Sequence, residues 1–155
     1  MSKSLKRVRA ALEALNLDTE IVEVGQARTA AEAAESLGCT VAQIANSIIL
    51  LGMETGQVRL FLTSGAERVD LDKAGVVAGE ALGKADAAII RAQTGFAIGG
   101  VAPVGHLNPI SAWVDLSLLT HDQIFAAAGT PRHLFGLTPG QLVEIAHGEV
   151  ADFTV

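Results

Sequence analysis

The chain has 155 residues, half of them apolar, with a formal net charge of −6. That length suits one domain spanning 1–155 that buries about two-thirds of its unfolded surface, and the composition excludes a disordered chain. The acidic balance argues against a protein that coats DNA or RNA without discrimination. No apolar run reaches the ~18 residues of a membrane span and the N-terminus lacks a signal-peptide core, so no membrane partner is expected. The lone Cys39 cannot form an internal disulfide, which fits a reducing, cytoplasmic setting. His106, His121, His133 and His147 fall at no metal-ligand spacing, and no metal or other cofactor is expected.

Residues 4–15 read as an amphipathic helix, with Leu5, Val8, Leu12 and Leu15 at helical spacing. Lys3, Lys6, Arg7 and Arg9 crowd it, four of the eleven basic residues, and serve either as a solvated face or as a local phosphate contact. A short strand follows over 18–24, then a loop over 25–28. Thr29-Ala30-Ala31-Glu32 has the form of a capping box in which Glu32 reaches back to the threonine, opening a helix that stops at Gly38. Thr40-Val41-Ala42-Gln43 repeats the signature for a second short helix. The apolar run over 46–53 and the alternating 57–63 form a hairpin about Glu54-Thr55-Gly56. Asp70 caps a helix through Val77, an extended link spans 79–85, and Asp86 caps a helix ending at Gly95. Strands are predicted over 111–115 and 123–128, with a final strand over 132–137. The last helix opens at Thr138-Pro139-Gly140-Gln141, with proline in its favoured first helical position, and ends at His147. Hairpins mixed with irregularly placed helices predict an α+β (mixed α/β) fold whose sheet is largely antiparallel.

One stretch stands apart. Residues 94–106, Thr-Gly-Phe-Ala-Ile-Gly-Gly-Val-Ala-Pro-Val-Gly-His, hold four of the sixteen glycines and no charge before the histidine. Its glycines suit neither a regular strand nor a helix, and Gly99-Gly100 allows a ligand to approach bare main chain. Pro103 stiffens the exit. Such a loop either aims N–H groups at an ester carbonyl or phosphate, or forms a tight corner between packed elements. No serine-hydrolase elbow, dinucleotide fingerprint or Walker loop accompanies it. Cys39, beside a helix start, is either a thiol of lowered pKa or a small buried filler.

Four stretches resemble the YbaK/ProX-type aminoacyl-tRNA deacylases, free-standing relatives of the prolyl-tRNA synthetase editing domain. They are 29–34 with Leu37-Gly38, 43–49, the loop 94–105, and 127–131 with 137–139. The resemblance implies the editing-domain fold and hydrolysis of a wrong amino acid from tRNA, usually tRNA(Pro), with prolyl-tRNA synthetase a further possible partner. It assigns Gly99, Gly100, Val101, Ala102 and Pro103 to the ester carbonyl or attacking water, assisted by the terminal ribose hydroxyl. Ala30, Ala33, Asn46, Ser47, Gly129, Thr130 and His133 become substrate-lining residues, although His133 is also readable as a surface residue beside a turn. Lys3, Lys6, Arg7, Arg9 and Arg132 become a basic rim for the tRNA.

Two departures from the family pattern stand out. Many relatives carry lysine where this chain has Asn46, and the synthetase-attached domain has bulkier aliphatics at Ala30 and Ala33. The second predicts a pocket that admits a side chain larger than alanine's. The first keeps open a non-catalytic module that holds a tRNA end or a synthetase. Hydrolysis of some other small ester is a third reading.

Overall fold

The computed structural model describes residues 2–25 and 27–155; Gln26, within the predicted loop 25–28, lies outside them. Helix α1 (Lys3–Ala14) begins at Ser2, whose hydroxyl accepts the Leu5 N–H, and buries Leu5, Val8 and Leu12. Burying such side chains contributes roughly 1.5–3 kcal/mol each. Strand β1 (Ile21–Glu23) is shorter than predicted and leads to α2 (Ala30–Leu37). The Thr29 hydroxyl caps α2 by accepting the Glu32 N–H, but Glu32 Oε2 takes the N–H of Arg28 rather than that of Thr29. The second helix signature yields only a 3-10 turn, Val41–Gln43. The hairpin forms as expected from β2 (Ile44–Gly52) and β3 (Val58–Ser64).

Helices α3 (Leu71–Ala78) and α4 (Ala87–Thr94) start at Asp70 and Asp86, whose carboxylates accept first-turn N–H groups. The link between them contains a three-residue strand, β4 (Leu82–Lys84), on the edge of β2. After β5 (Ala112–Asp115) the chain makes an unforeseen 3-10 turn, Leu116–Thr120, capped by Asp115. Strands β6 (Ile124–Ala127) and β7 (His133–Leu137) precede α5 (Pro139–Ala146), where Thr138 and Gln141 complete the capping box. The strand ending at Leu137 is not the last: β8 (Glu149–Ala151) follows α5 and pairs parallel with β5.

The sheet runs β1-β7-β6-β2-β3-β5-β8, with β4 beside β2. The pairs β1–β7, β2–β3, β2–β4 and β6–β7 are antiparallel, and β2–β6, β3–β5 and β5–β8 are parallel. Strand alternation sends Leu60 and Leu62 into a main core with α1, α4 and α5, and Phe61 into a smaller one with Trp113 and Phe153. Phe96, Val101, Ala102 and Val104 of the glycine stretch belong to the main core. Helix α2 packs on the opposite face, where Ala33 and Ala34 meet Ile44 and Leu134.

One gap in this sheet positions the site. Strands β2 and β6 pair only at Ile44–Phe125 and Ala45–Ala126. Strand β6 then ends and turns back, while β2 runs on, meeting β4 only from Leu50. Between these pairings the edge of β2 is open, and the glycine loop and the 128–132 turn close around it.

Candidate active site

The gap holds a cavity of about 160 Å³, lined from both faces of the sheet. Ala30 and Ala33 of α2 form one wall, Ala45 and Ser47 of β2 the floor with Asn46 beside them, Gly99 and Val101 of the loop another wall, and Thr130 and His133 the far side. Eight of these nine residues were singled out from the sequence, and Ala45 is new. Ala27, Arg28, Thr29, Ile44, Ala127, Pro131 and Leu134 also line it. Asn46 is exposed at the rim. The Ser47 hydroxyl is covered and meets no hydrogen-bond partner among the described residues. A covered hydroxyl without a partner costs roughly 1–3 kcal/mol, a cost that a bound polar ligand relieves.

The loop between α4 and residue 107 is closed at its base by the Leu107 N–H, which donates to Thr94 O at 3.1 Å. Thr94, fully buried, donates to Ile90 O at 2.7 Å and accepts the Phe96 N–H at 3.1 Å. The predicted catalytic residues divide. Gly99 and Val101 face the cavity, and neither N–H has an acceptor among the described residues. Gly100, Ala102 and Pro103 are buried behind them. The Gly100 N–H closes a turn onto Ala97 O at 3.0 Å. A Cβ on Gly100 would stand 2.8 Å from the Thr130 Cα, so a bare backbone is what allows the loop to lie against the 128–132 turn. Gly129 has φ +97° and meets α1 in the same way, its missing Cβ pointing at Ser4 O.

Arg7 clamps the loop at both ends. Its Nε donates to Gly105 O and its Nη2 to Gly95 O, each at 2.7 Å, and the guanidinium lies 4.3 Å from the centre of the Phe96 ring. A planar fork can hold two carbonyls and an aromatic face at once, which a lysine ammonium cannot. His106 adds a third tie: Nε2 donates to Ala102 O at 2.6 Å. Burial, with the Arg7 charge nearby, holds its imidazole below the ordinary value, so the ring is neutral at neutral pH. Neither tie was foreseen. Arg7 read as one charge among four, and its place beside Ser4 and Ala11 on the flank of the apolar stripe was the available signal.

Across the cavity, Thr130 Oγ1 and His133 Nδ1 lie 2.6 Å apart, and the same oxygen accepts the Arg132 N–H at 3.2 Å. His133 is thus half-buried and tied to the turn beside it. Lys3, Lys6 and Arg9 are exposed on α1, and Arg132 is exposed beside the cavity without lining it. Cys39 packs in the small cluster under α2, where burial raises its thiol pKa, the character of a filler rather than a nucleophile. No helix among the described residues is long and apolar enough to cross a membrane.

A family model for the aminoacyl-tRNA editing domain matches residues 24–145. The chain is 30% identical over 148 residues to the uncharacterized protein YwhH of Bacillus subtilis (strain 168), covering 95% of this chain and 94% of that one. It is 26% identical over 130 residues to the "Putative Cys-tRNA(Pro)/Cys-tRNA(Cys) deacylase EbsC" of Enterococcus faecalis (strain ATCC 700802 / V583), covering 81% and 77%. Among solved structures, a "putative trans-editing enzyme for prolyl tRNA synthetase" superposes with a TM-score of 0.93 at 43% identity, over 100% of this chain and 99% of that one. The matched region spans most of the length and includes both walls of the cavity, and the chain belongs to the aminoacyl-tRNA editing domain family.

Proposed function

We propose that the protein is a hydrolase that removes a wrongly attached amino acid from the 3′ end of tRNA(Pro), acting in trans in the cytoplasm on tRNA released by prolyl-tRNA synthetase. The observation that carries this reading is that Gly99 and Val101, whose N–H groups have no acceptor among the described residues, line one cavity together with the small Ala30 and Ala33. The aminoacyl ester carbonyl lies against the N–H groups, which stabilise the oxyanion as water adds. Donors held in place in this way supply roughly 3–4 kcal/mol. The carbonyl carbon gains the water oxygen, the bond to the ribose oxygen breaks, and that oxygen leaves with a proton, giving free amino acid and uncharged tRNA. The ester is already activated and the neighbouring ribose hydroxyl assists, so a strong side-chain base is not required. Gly100, Ala102 and Pro103 set the loop's shape from behind.

Ala30 and Ala33 leave room for a side chain larger than a methyl group, such as 2-aminobutyrate, cysteine, serine, threonine or valine. Differences of one methylene are worth only ~1–3 kcal/mol, so moderate breadth is expected. The name of EbsC, which specifies Cys-tRNA, falls within this range. The test is deacylation of tRNA(Pro) charged with Ala, 2-aminobutyrate, Cys, Ser, Thr, Val or Pro. Mid-sized residues should be released and Pro spared, and Ala30→Ile with Ala33→Leu should shift preference toward alanine. An unchanged preference in that variant would remove the α2 wall from the pocket.

Asn46 at the rim favours a second reading, a module that binds the tRNA end or a synthetase without hydrolysis. Release of none of the seven amino acids, with tRNA binding intact, would establish it.

A further inference from the structure

Arg28 and Arg132 are 104 positions apart in sequence, yet with Ala27 and Pro131 they line one depression of about 270 Å³. Ala27, Arg28 and Pro131 also line the cavity, so the depression adjoins its mouth. Both arginines are exposed, and the ion pairs among the described residues, Arg59–Glu80 and Lys73–Asp152, involve neither. Their backbones are fixed. The Arg28 N–H donates to Glu32 Oε2 at 3.3 Å, while the Arg132 N–H donates to Thr130 Oγ1 and its carbonyl accepts the Val24 N–H at 2.8 Å. Two guanidinium groups on anchored backbone, on a chain of net charge −6, make a local anion seat that the overall charge conceals.

We propose that Arg28 and Arg132 hold the phosphodiester that joins the last two nucleotides of the tRNA, at the mouth of the cavity. This rests on the deacylase reading above for the identity of the ligand. An aminoacyl ester in the cavity brings no carboxylate, since its acid is esterified, and its amino group is cationic. The anion nearest the reacting carbonyl is therefore the phosphate on the terminal nucleoside. Guanidinium forks match phosphate oxygens in pairs, which orients the nucleoside as well as attracting it.

The test uses the full chain and an uncharged acceptor-stem minihelix ending in CCA, with a twin carrying a neutral methylphosphonate at the last linkage. Wild type should bind the twin about tenfold more weakly, the worth of one charge-assisted contact pair. Arg28→Gln with Arg132→Gln should bind both about equally, with a salt slope shallower by about 0.7, the value for one phosphate on a single strand. Lys84→Gln with Arg91→Gln, which removes two exposed charges elsewhere, should discriminate like wild type. Equal discrimination by wild type and the Arg28/Arg132 variant, or none by wild type, would overturn the seat. Hydrolysis of the aminoacylated minihelix is followed in parallel. Discrimination that depends on the two arginines without hydrolysis would keep the seat and defeat the deacylase reading alone.

Discussion

Toward α1, the carbonyls of Gly95 and Gly105 are held by Arg7 and that of Ala102 by His106, all within 2.7 Å. Toward the cavity, the same loop contributes Gly99 and Val101, whose N–H groups meet no acceptor among the described residues, and Ser47, with its unpartnered hydroxyl, lines the same cavity. One side of a thirteen-residue segment is tied at three carbonyls and the other is left open. The difference teaches where to look for chemistry. Buried polar groups are nearly always satisfied, so the buried Val101 N–H and the covered Ser47 hydroxyl mark a place that a ligand can complete. The engaged side keeps the open side from collapsing onto itself.

Disturbing the engaged side should therefore damage hydrolysis without touching the cavity. Arg7→Ala removes two charge-assisted bonds and a cation–π contact, and should cost about 3 kcal/mol in denaturant unfolding. It should also lower kcat by about a hundredfold at temperatures where the variant is folded, because small misplacements at a reacting centre are expensive. Arg7→Lys should recover little, since it cannot bridge both carbonyls. Gly100→Ala comes next. Its Cβ would press on the Thr130 backbone and force the two cavity walls apart, for about 2 kcal/mol and about tenfold in kcat.

His106 supplies a smaller, pH-dependent effect. Its pKa is lowered in the folded chain, so the unfolded chain takes up the proton first as pH falls. Its contribution is complete above the ordinary histidine value near 6.5 and declines below it. His106→Gln should flatten that part of a stability–pH profile while lowering kcat by less than Gly100→Ala.

The smallest effect on hydrolysis should come from Glu80, at the far end of the β2–β3 hairpin. Its carboxylate bonds Arg59 at 2.7 Å and accepts the Glu54 and Thr55 N–H groups, which hold it down to about 2. That stability is present above the ordinary value of 4.5 and is lost as pH falls toward about 2. Glu80→Gln should remove this acid-range dependence and leave kcat per folded molecule unchanged. A loss of kcat there would mean that the two ends of β2 are coupled.

The local parts of this arrangement were legible in the sequence. Asp70, Asp86 and Thr138 cap the helices they were expected to cap, because a cap is a short-range bond between a side chain and the next turn. Strand β8 was not seen, since three residues with exposed Glu149 and Val150 carry no apolar alternation. The glycine stretch announced itself by composition, but its division into front and back depends on what lies behind it. The ties of Arg7 span 88 and 98 positions, beyond the reach of any periodicity. Arg28 was passed over for a similar reason: an arginine in a short loop acquires meaning only when Arg132 arrives beside it.

Helix α1 lies before the region shared with the family, yet its Arg7 holds the glycine loop inside that region. This has a consequence for the timing of synthesis. Arg7 leaves the ribosome 98 residues ahead of Gly105, the second carbonyl that it grips. At roughly 5–20 residues per second, the arginine waits about 5–20 s for its partner. A chain that terminates short of Gly105 carries Arg7 without the second carbonyl that it grips, and its glycine loop is not held at both ends. Competence to act on an ester thus switches on late in translation, after most of the polypeptide has been made.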